Sequence, residues 1–310
     1  MIPEAIRPPE VTVTQPNPTN FFDAGTGADP GAVLGALEGS AMPEAPKVVL
    51  EMVGENGESF ELERRIGYLD GELGPLIVPL ALDDFTTDLA SVPALFTWLV
   101  PKTGLHLPAA LIHDGLINPG GPTTYFAPGV GVVHRWQADR VFRDMMRDAG
   151  TGVVRRWLMW SAVTVGTIKD GRDTGWSGAR RWYYRGAVAL TVGAVLVLGF
   201  LATMDLFDRT WFWALPWMDE RSGFVEVVGG LAGAVVVPLA LSLFWGRFRI
   251  AGAVIGVALA VLVHVTVLLA LLSAGYWLLE KVSAKVPTLV LGAGIVIVGL
   301  ALGYAVGLTF

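Results

Sequence analysis

Cysteine is absent from the 310 residues, and charge is scarce, with only 16% Asp, Glu, Lys or Arg. Without cysteine there is neither a disulfide framework nor a thiolate metal site. Soluble domains usually carry about 25% charged residues, so part of this chain is not built for water. The charge that is present sums to -6. That argues against nucleic acid as the main partner, because phosphate binding needs a basic field. A secretory signal is also missing: Met1-Ile2-Pro3-Glu4 lacks a basic stretch followed by an apolar one. Later hydrophobic segments are therefore expected to direct insertion. No internal repeat of solenoid or propeller length is present.

What is abundant is apolar, 53% of the residues, with a mean hydropathy of +0.55. The excess is local. Most of the charge lies up to Arg185, and four apolar stretches follow it, at 186–204, 224–245, 250–279 and 288–309. Each meets the roughly 20 residues needed to cross about 30 Å of hydrocarbon. The third is too long for a perpendicular span and must tilt or protrude. A juxtamembrane segment, 171–185, precedes them and holds Arg180, Arg181, Trp182, Tyr183, Tyr184 and Arg185. Basic and aromatic side chains are favoured where headgroups meet water. Arg247 and Arg249 fill the second loop, whereas the first holds Asp205, Asp208, Asp219 and Glu220. This bias places both termini on the cytoplasmic side of a bacterial inner membrane. Small-residue ridges (Gly229/Gly233, Gly252/Gly256 and Gly299/Gly303/Gly307) serve close packing within the bundle or a homo-oligomer contact. His264 sits mid-span and marks a functional position by default.

The polar half divides further. Residues 1–46, rich in Pro, Gly, Ala and Thr, read as an extended arm. Runs 47–53 and 58–66 flank Glu55-Asn56-Gly57, a hairpin signal. The run 76–82 reads as a strand with an edge proline, Pro79. Pro108 opens a helix over 108–117, ended by Asn118-Pro119-Gly120-Gly121 and a loop to about 131. Ala138, Val141, Phe142, Met145 and Ala149 form the stripe of a helix over 135–149, and 153–168 is a third helix. Residues 47–170 thus form a small α+β domain, followed by an all-α bundle of four transmembrane helices over 186–310.

Within that domain His113 shares a helix face with Ala109, Ala110, Leu116 and Ile117, so its imidazole points inward. Asp139 borders the apolar stripe of the next helix, three residues before Phe142. Burying the two is costly unless they pair, and a carboxylate on one ring nitrogen leaves the other free as a base. The pair is therefore a candidate catalytic dyad or a polar pair that fixes helix packing.

The segments TDLASVP (87–93), AALIHD (109–114), QADRVFRDMM (137–146) and RRWLMWSAV (155–163), with Gly166 beyond, resemble the phage and bacterial family catalogued as domain of unknown function 1353, over roughly residues 50–168. The resemblance implies a phage or prophage context and no established reaction. The HD…D order is more loosely similar to phospholipase A2. By that likeness His113 is the general base, Asp139 orients it, and Asp114 ligates calcium. Asp88 and the rest of the TDLAS loop then complete an oxygen cage for calcium or another divalent metal. Two functions are open. One is a membrane-anchored hydrolase acting on phospholipid esters or peptidoglycan. The other is a non-enzymatic phage component, tail-associated or membrane-inserted, whose arm contacts other structural proteins. A holin-like pore former is disfavoured by the folded domain ahead of the spans.

Overall fold

The computed structural model describes residues 20–27, 29–38, 45–53, 59–89, 100–117, 123–206, 215–218 and 223–283. They fall into two compact units. The first holds everything described up to Ala189 together with Ser242–Ile255; the second holds the described parts of Leu190–Leu241 and Gly256–Phe310.

The first unit is α+β. One antiparallel sheet orders β1 (Phe21–Asp23), β4 (Ile66–Asp70) and β5 (Gly74–Val78) as β1-β4-β5. A second orders β2 (Leu50–Val53), β3 (Ser59–Leu62) and β6 (Thr86–Thr87) as β2-β3-β6. The expected hairpin is β2-β3, with Leu50 opposite Leu62 and Val53 opposite Ser59; its turn at 55–57 lies outside the described residues. Strand β5 stops before Pro79, as a residue without an N–H dictates.

Two features differ from the sequence reading. The run 58–66 is not one strand: β3 ends at Leu62 and the chain bends at Glu63 and Arg64 before β4. Arg65, 4% exposed, donates from its guanidinium to the carbonyls of Pro79 and Leu80, both at 3.0 Å, and of Gly27. A buried guanidinium needs several acceptors, and meeting them here separates β3 from β4. The arm drawn over 1–46 is likewise corrected over 20–38. Phe21 and Phe22 are 2% and 0% exposed in β1, and α1 (Gly31–Glu38) follows. Phe22 stands opposite Gly67, where a Cβ would lie 2.1 Å from its ring, so glycine makes room for the aromatic. A three-residue strand has too little periodicity to be read. Residues 1–19 lie outside the described residues.

Three helices follow where the periodicity predicts them: α2 (Leu107–Ile117), α3 (Arg135–Asp148) and α4 (Val153–Asp170). Gln137 accepts the His134 N–H at 2.9 Å, closing a capping box on α3. Gly171, with φ 70°, ends α4. Arg185 donates to the carbonyls of Ile168, Lys169 and Asp170 there, so this juxtamembrane arginine caps a helix. Helix α3 is clamped to the first sheet by Arg140 on Asp70 at 2.7 Å, and by Asn20 and Tyr68 donating to Asp148 at 2.6 and 2.9 Å.

The apolar core does not end at the composition boundary. It runs from Leu76, Ile112, Phe142 and Met145 through Trp176 and Tyr184 to Ala187, Trp245, Phe248 and Ala251. Rings of Trp176, Tyr184 and Phe248 meet with centroids 4.9 to 5.6 Å apart, and Arg247 lies 4.0 Å above the Trp136 ring.

Among the described residues the apolar half has three long helices: α5 (Gly178–Leu206), α6 (Gly223–Ser242) and α7 (Arg249–Ser283). Among the described residues three helices, not four, are long and apolar enough to cross a membrane; the expected fourth span, 288–309, lies outside the described residues. The apolar run Phe224–Leu262 is not one rod. Gly246 has φ 54° and ψ -118°. A Cβ on Gly256 would lie 2.8 Å from Pro238 Cβ, although eighteen helical residues would span about 27 Å. The chain therefore doubles back as a helical hairpin. The 35 residues of α7 correspond to about 52 Å, longer than the hydrocarbon layer, as expected. The Gly229/Gly233 ridge receives a turn of the same chain: a Cβ there would lie 2.1 Å from the Trp217 carbonyl oxygen and 2.8 Å from its Nε1. Gly252 abuts Trp245 in the same way. Gly299, Gly303 and Gly307 lie outside the described residues.

Candidate functional site

Helix α2 is buried on almost every side, with Ala109, Ala110, Leu111, Ile112, His113, Gly115 and Leu116 all enclosed. A helix can be apolar all round only inside a core. Gly115 allows it to press on β5, since a Cβ there would lie 2.3 Å from Val78 Cγ1. Thr124 ties the following loop back by donating to the Gly115 carbonyl at 2.5 Å.

This placement brings His113 and Asp139 together. Nε2 of His113 lies 2.9 Å from Asp139 Oδ1, and the residues are 6% and 1% exposed. A carboxylate only accepts, so Nε2 carries the proton and Nδ1 keeps its lone pair. Phe142, one helical turn beyond Asp139, lies against the imidazole with ring centroids 4.7 Å apart. Among the described residues Asp139 Oδ2 is enclosed without a hydrogen-bond partner, so the carboxylate is only half satisfied.

Asp114, next along α2, faces β6 instead. The Thr87 hydroxyl donates to it, and Thr87 Oγ1 in turn accepts the Leu89 N–H at 2.9 Å. Leu89 is in the left-handed region, φ 73°, unusual for a branched side chain and characteristic of constrained functional turns. Burial pushes the Asp114 carboxyl above the ordinary range against the Thr87 hydrogen bond and the His113 charge, and the exposed Asp88 adds to the rise. The TDL turn and the HD pair thus meet through Thr87, a residue the motif contained but whose role the sequence did not show. Asp70 is the other missed member. Burial would raise its carboxyl, but hydrogen bonds from Arg140 and the Leu73 N–H, with the Arg140 charge, outweigh burial and hold it below the usual range.

Residues 72–163 match the family described as protein of unknown function DUF1353. The match is narrower than the motifs suggested: it omits β1 to β4 yet contains His113, Asp114, Asp139 and Asp88, and it covers under a third of the chain. No curated protein and no solved structure matches, so the likeness to phospholipase A2 rests on the HD…D order alone. Among the described residues no group of three or more His, Asp or Glu is placed to hold a metal ion. Asp88, Asp114 and the Thr87 hydroxyl fall short of the six to eight oxygens that calcium takes. Ala90 and Ser91, expected to extend that set, lie outside the described residues, as do Asn118 to Gly121 of the loop beside α2.

Proposed function

We propose that the DUF1353 segment is a hydrolase carried by a membrane-spanning chain, with His113 as general base and Asp139 as its positioning residue. The observation that carries this reading is the buried Nε2–Oδ1 contact of 2.9 Å, which leaves Nδ1 free to take a proton. In the proposed step Nδ1 removes a proton from water while the water oxygen adds to an ester carbonyl carbon. The tetrahedral intermediate then expels its alkoxide as the C–O bond breaks, and the imidazolium returns the proton to the leaving oxygen. Asp139 offsets the imidazolium charge through the step. No part of the step is routed through a metal.

The same compact unit holds the site and the helix ends Gly178–Ala189 and Ser242–Ile255. This favours a phospholipid ester over peptidoglycan as the bond attacked. The test is fatty-acid release from phosphatidylglycerol mixed micelles by the full-length protein. His113→Gln should lower release by about 10²-fold or more while the protein stays folded.

The low exposure of both residues favours a second reading, in which the dyad only holds α2 against α3 in a non-enzymatic phage component. On that reading wild type releases no fatty acid, and His113→Gln strands Asp139 and loses about 1–3 kcal/mol of stability.

A further inference from the structure

The second unit contains a cavity of about 210 Å³ among α5, α6, α7 and the Leu215–Met218 turn. Its wall is apolar, including Val195, Leu198, Leu231 and Val237, and the turn contributes Trp217. Among the described residues no Lys or Arg lines it, and the one carboxylate on the wall is Glu226. Glu226 lies in the first turn of α6. It is half-buried and makes no ion pair or hydrogen bond among the described residues. An unpaired carboxylate facing apolar surface is costly, and a cation in the cavity would relieve that cost.

His264, the other titratable group on the wall, already has a partner. Thr203 Oγ1 donates to the Gly199 carbonyl at 2.7 Å and has one proton to give. Its 2.6 Å contact with His264 Nε2 therefore uses the ring N–H as donor, which makes this pair an interhelical tie.

We propose that this cavity binds an amphiphile with an ammonium head. The head pairs with Glu226 beside the Trp217 indole, whose ring attracts cations, and the alkyl chain lies along the Val and Leu wall. The occupant is either a membrane aminophospholipid or a soluble long-chain amine, which share this chemistry.

The test uses the full-length protein in phosphatidylglycerol nanodiscs, photolabelled with diazirine-bearing dodecylamine or the matching dodecanol, with labelled peptides mapped by mass spectrometry. The amine should label peptides lining the cavity about tenfold more than the alcohol, the scale of one charged hydrogen bond. Glu226→Gln should abolish the preference, and Glu226→Asp should keep most of it, which separates charge from folding. Competition by phosphatidylethanolamine assigns the site to a lipid; its absence assigns it to a soluble amine. Equal labelling by amine and alcohol, or a preference that survives Glu226→Gln, overturns the proposal.

Discussion

Replacing Asp139 by Asn tests the buried dyad directly, because the change preserves shape and removes only the charge and one of the two acceptor oxygens. Asp139 is 1% exposed and its Oδ1 lies 2.9 Å from His113 Nε2. The Asn amide can meet Nε2 only if the ring changes tautomer or the amide turns its oxygen inward. The charge-assisted hydrogen bond is lost either way, a cost of about 2–3 kcal/mol. For a unit of this size that corresponds to a fall in Tm of about 5–10 °C. Asp144 provides the control on the same helix. Its side chain is 17% exposed and shared among Arg140, Arg143 and Arg147 at 3.0 to 3.7 Å. Such partly solvated pairs are worth about 1 kcal/mol or less. Thermal unfolding of the two variants of the full-length protein, side by side in one detergent, supplies the comparison. Indistinguishable melting temperatures would refute the reasoning, since they would mean that the enclosed pair contributes no more than a surface one.

Asp70→Asn should lower Tm near neutral pH by removing the acceptor for Arg140. Because the folded Asp70 carboxyl lies below its ordinary value, its contribution is present above the unfolded value near about 3.9 and fades as pH falls through the folded one. The gap between variant and wild type should therefore close in acid, and a constant gap would contradict the assignment. Asp114 has the opposite sign. Burial raises its carboxyl, so ionisation costs stability as pH rises through the folded value, and Asp114→Asn should raise Tm in alkali more than in acid. A melting curve at each pH extreme decides. The chain has no cysteine, so a single Cys in place of Lys281 can be probed without background. The loop charges lead to the expectation that both termini are cytoplasmic with three spans before this residue; an impermeant maleimide should then label it in intact cells, and protection would overturn that topology.

The helices of the first unit were legible because Pro108, the Ala138–Met145 stripe and Gly150 punctuate them locally, and the two inward phases sufficed to pair His113 with Asp139. Strand β1 was not legible, since three residues between proline and glycine carry no period, and its partner β4 lies more than forty residues away. Nor were Arg140–Asp70 or Thr87–Asp114, each a contact between distant segments that helical phase alone does not bring together. The apolar spans were visible by length alone, but the use of Gly229 and Gly233 to seat Trp217 depends on a turn whose position no ridge pattern specifies.

Because Trp245, Phe248 and Ala251 belong to the same core as Phe142 and Met145, the place where composition changes is not a place where the protein can be severed. A fragment ending before Gly178 would keep Trp176 and Ile168 but lose the Tyr184 and Phe248 rings that cover Trp176. It would also lose Arg185, which satisfies the last carbonyls of α4. The polar domain and the ends of the long apolar helices therefore fold together. Excision should yield an aggregating piece rather than a soluble enzyme, and any motion of the site is a motion of the helix ends that carry it.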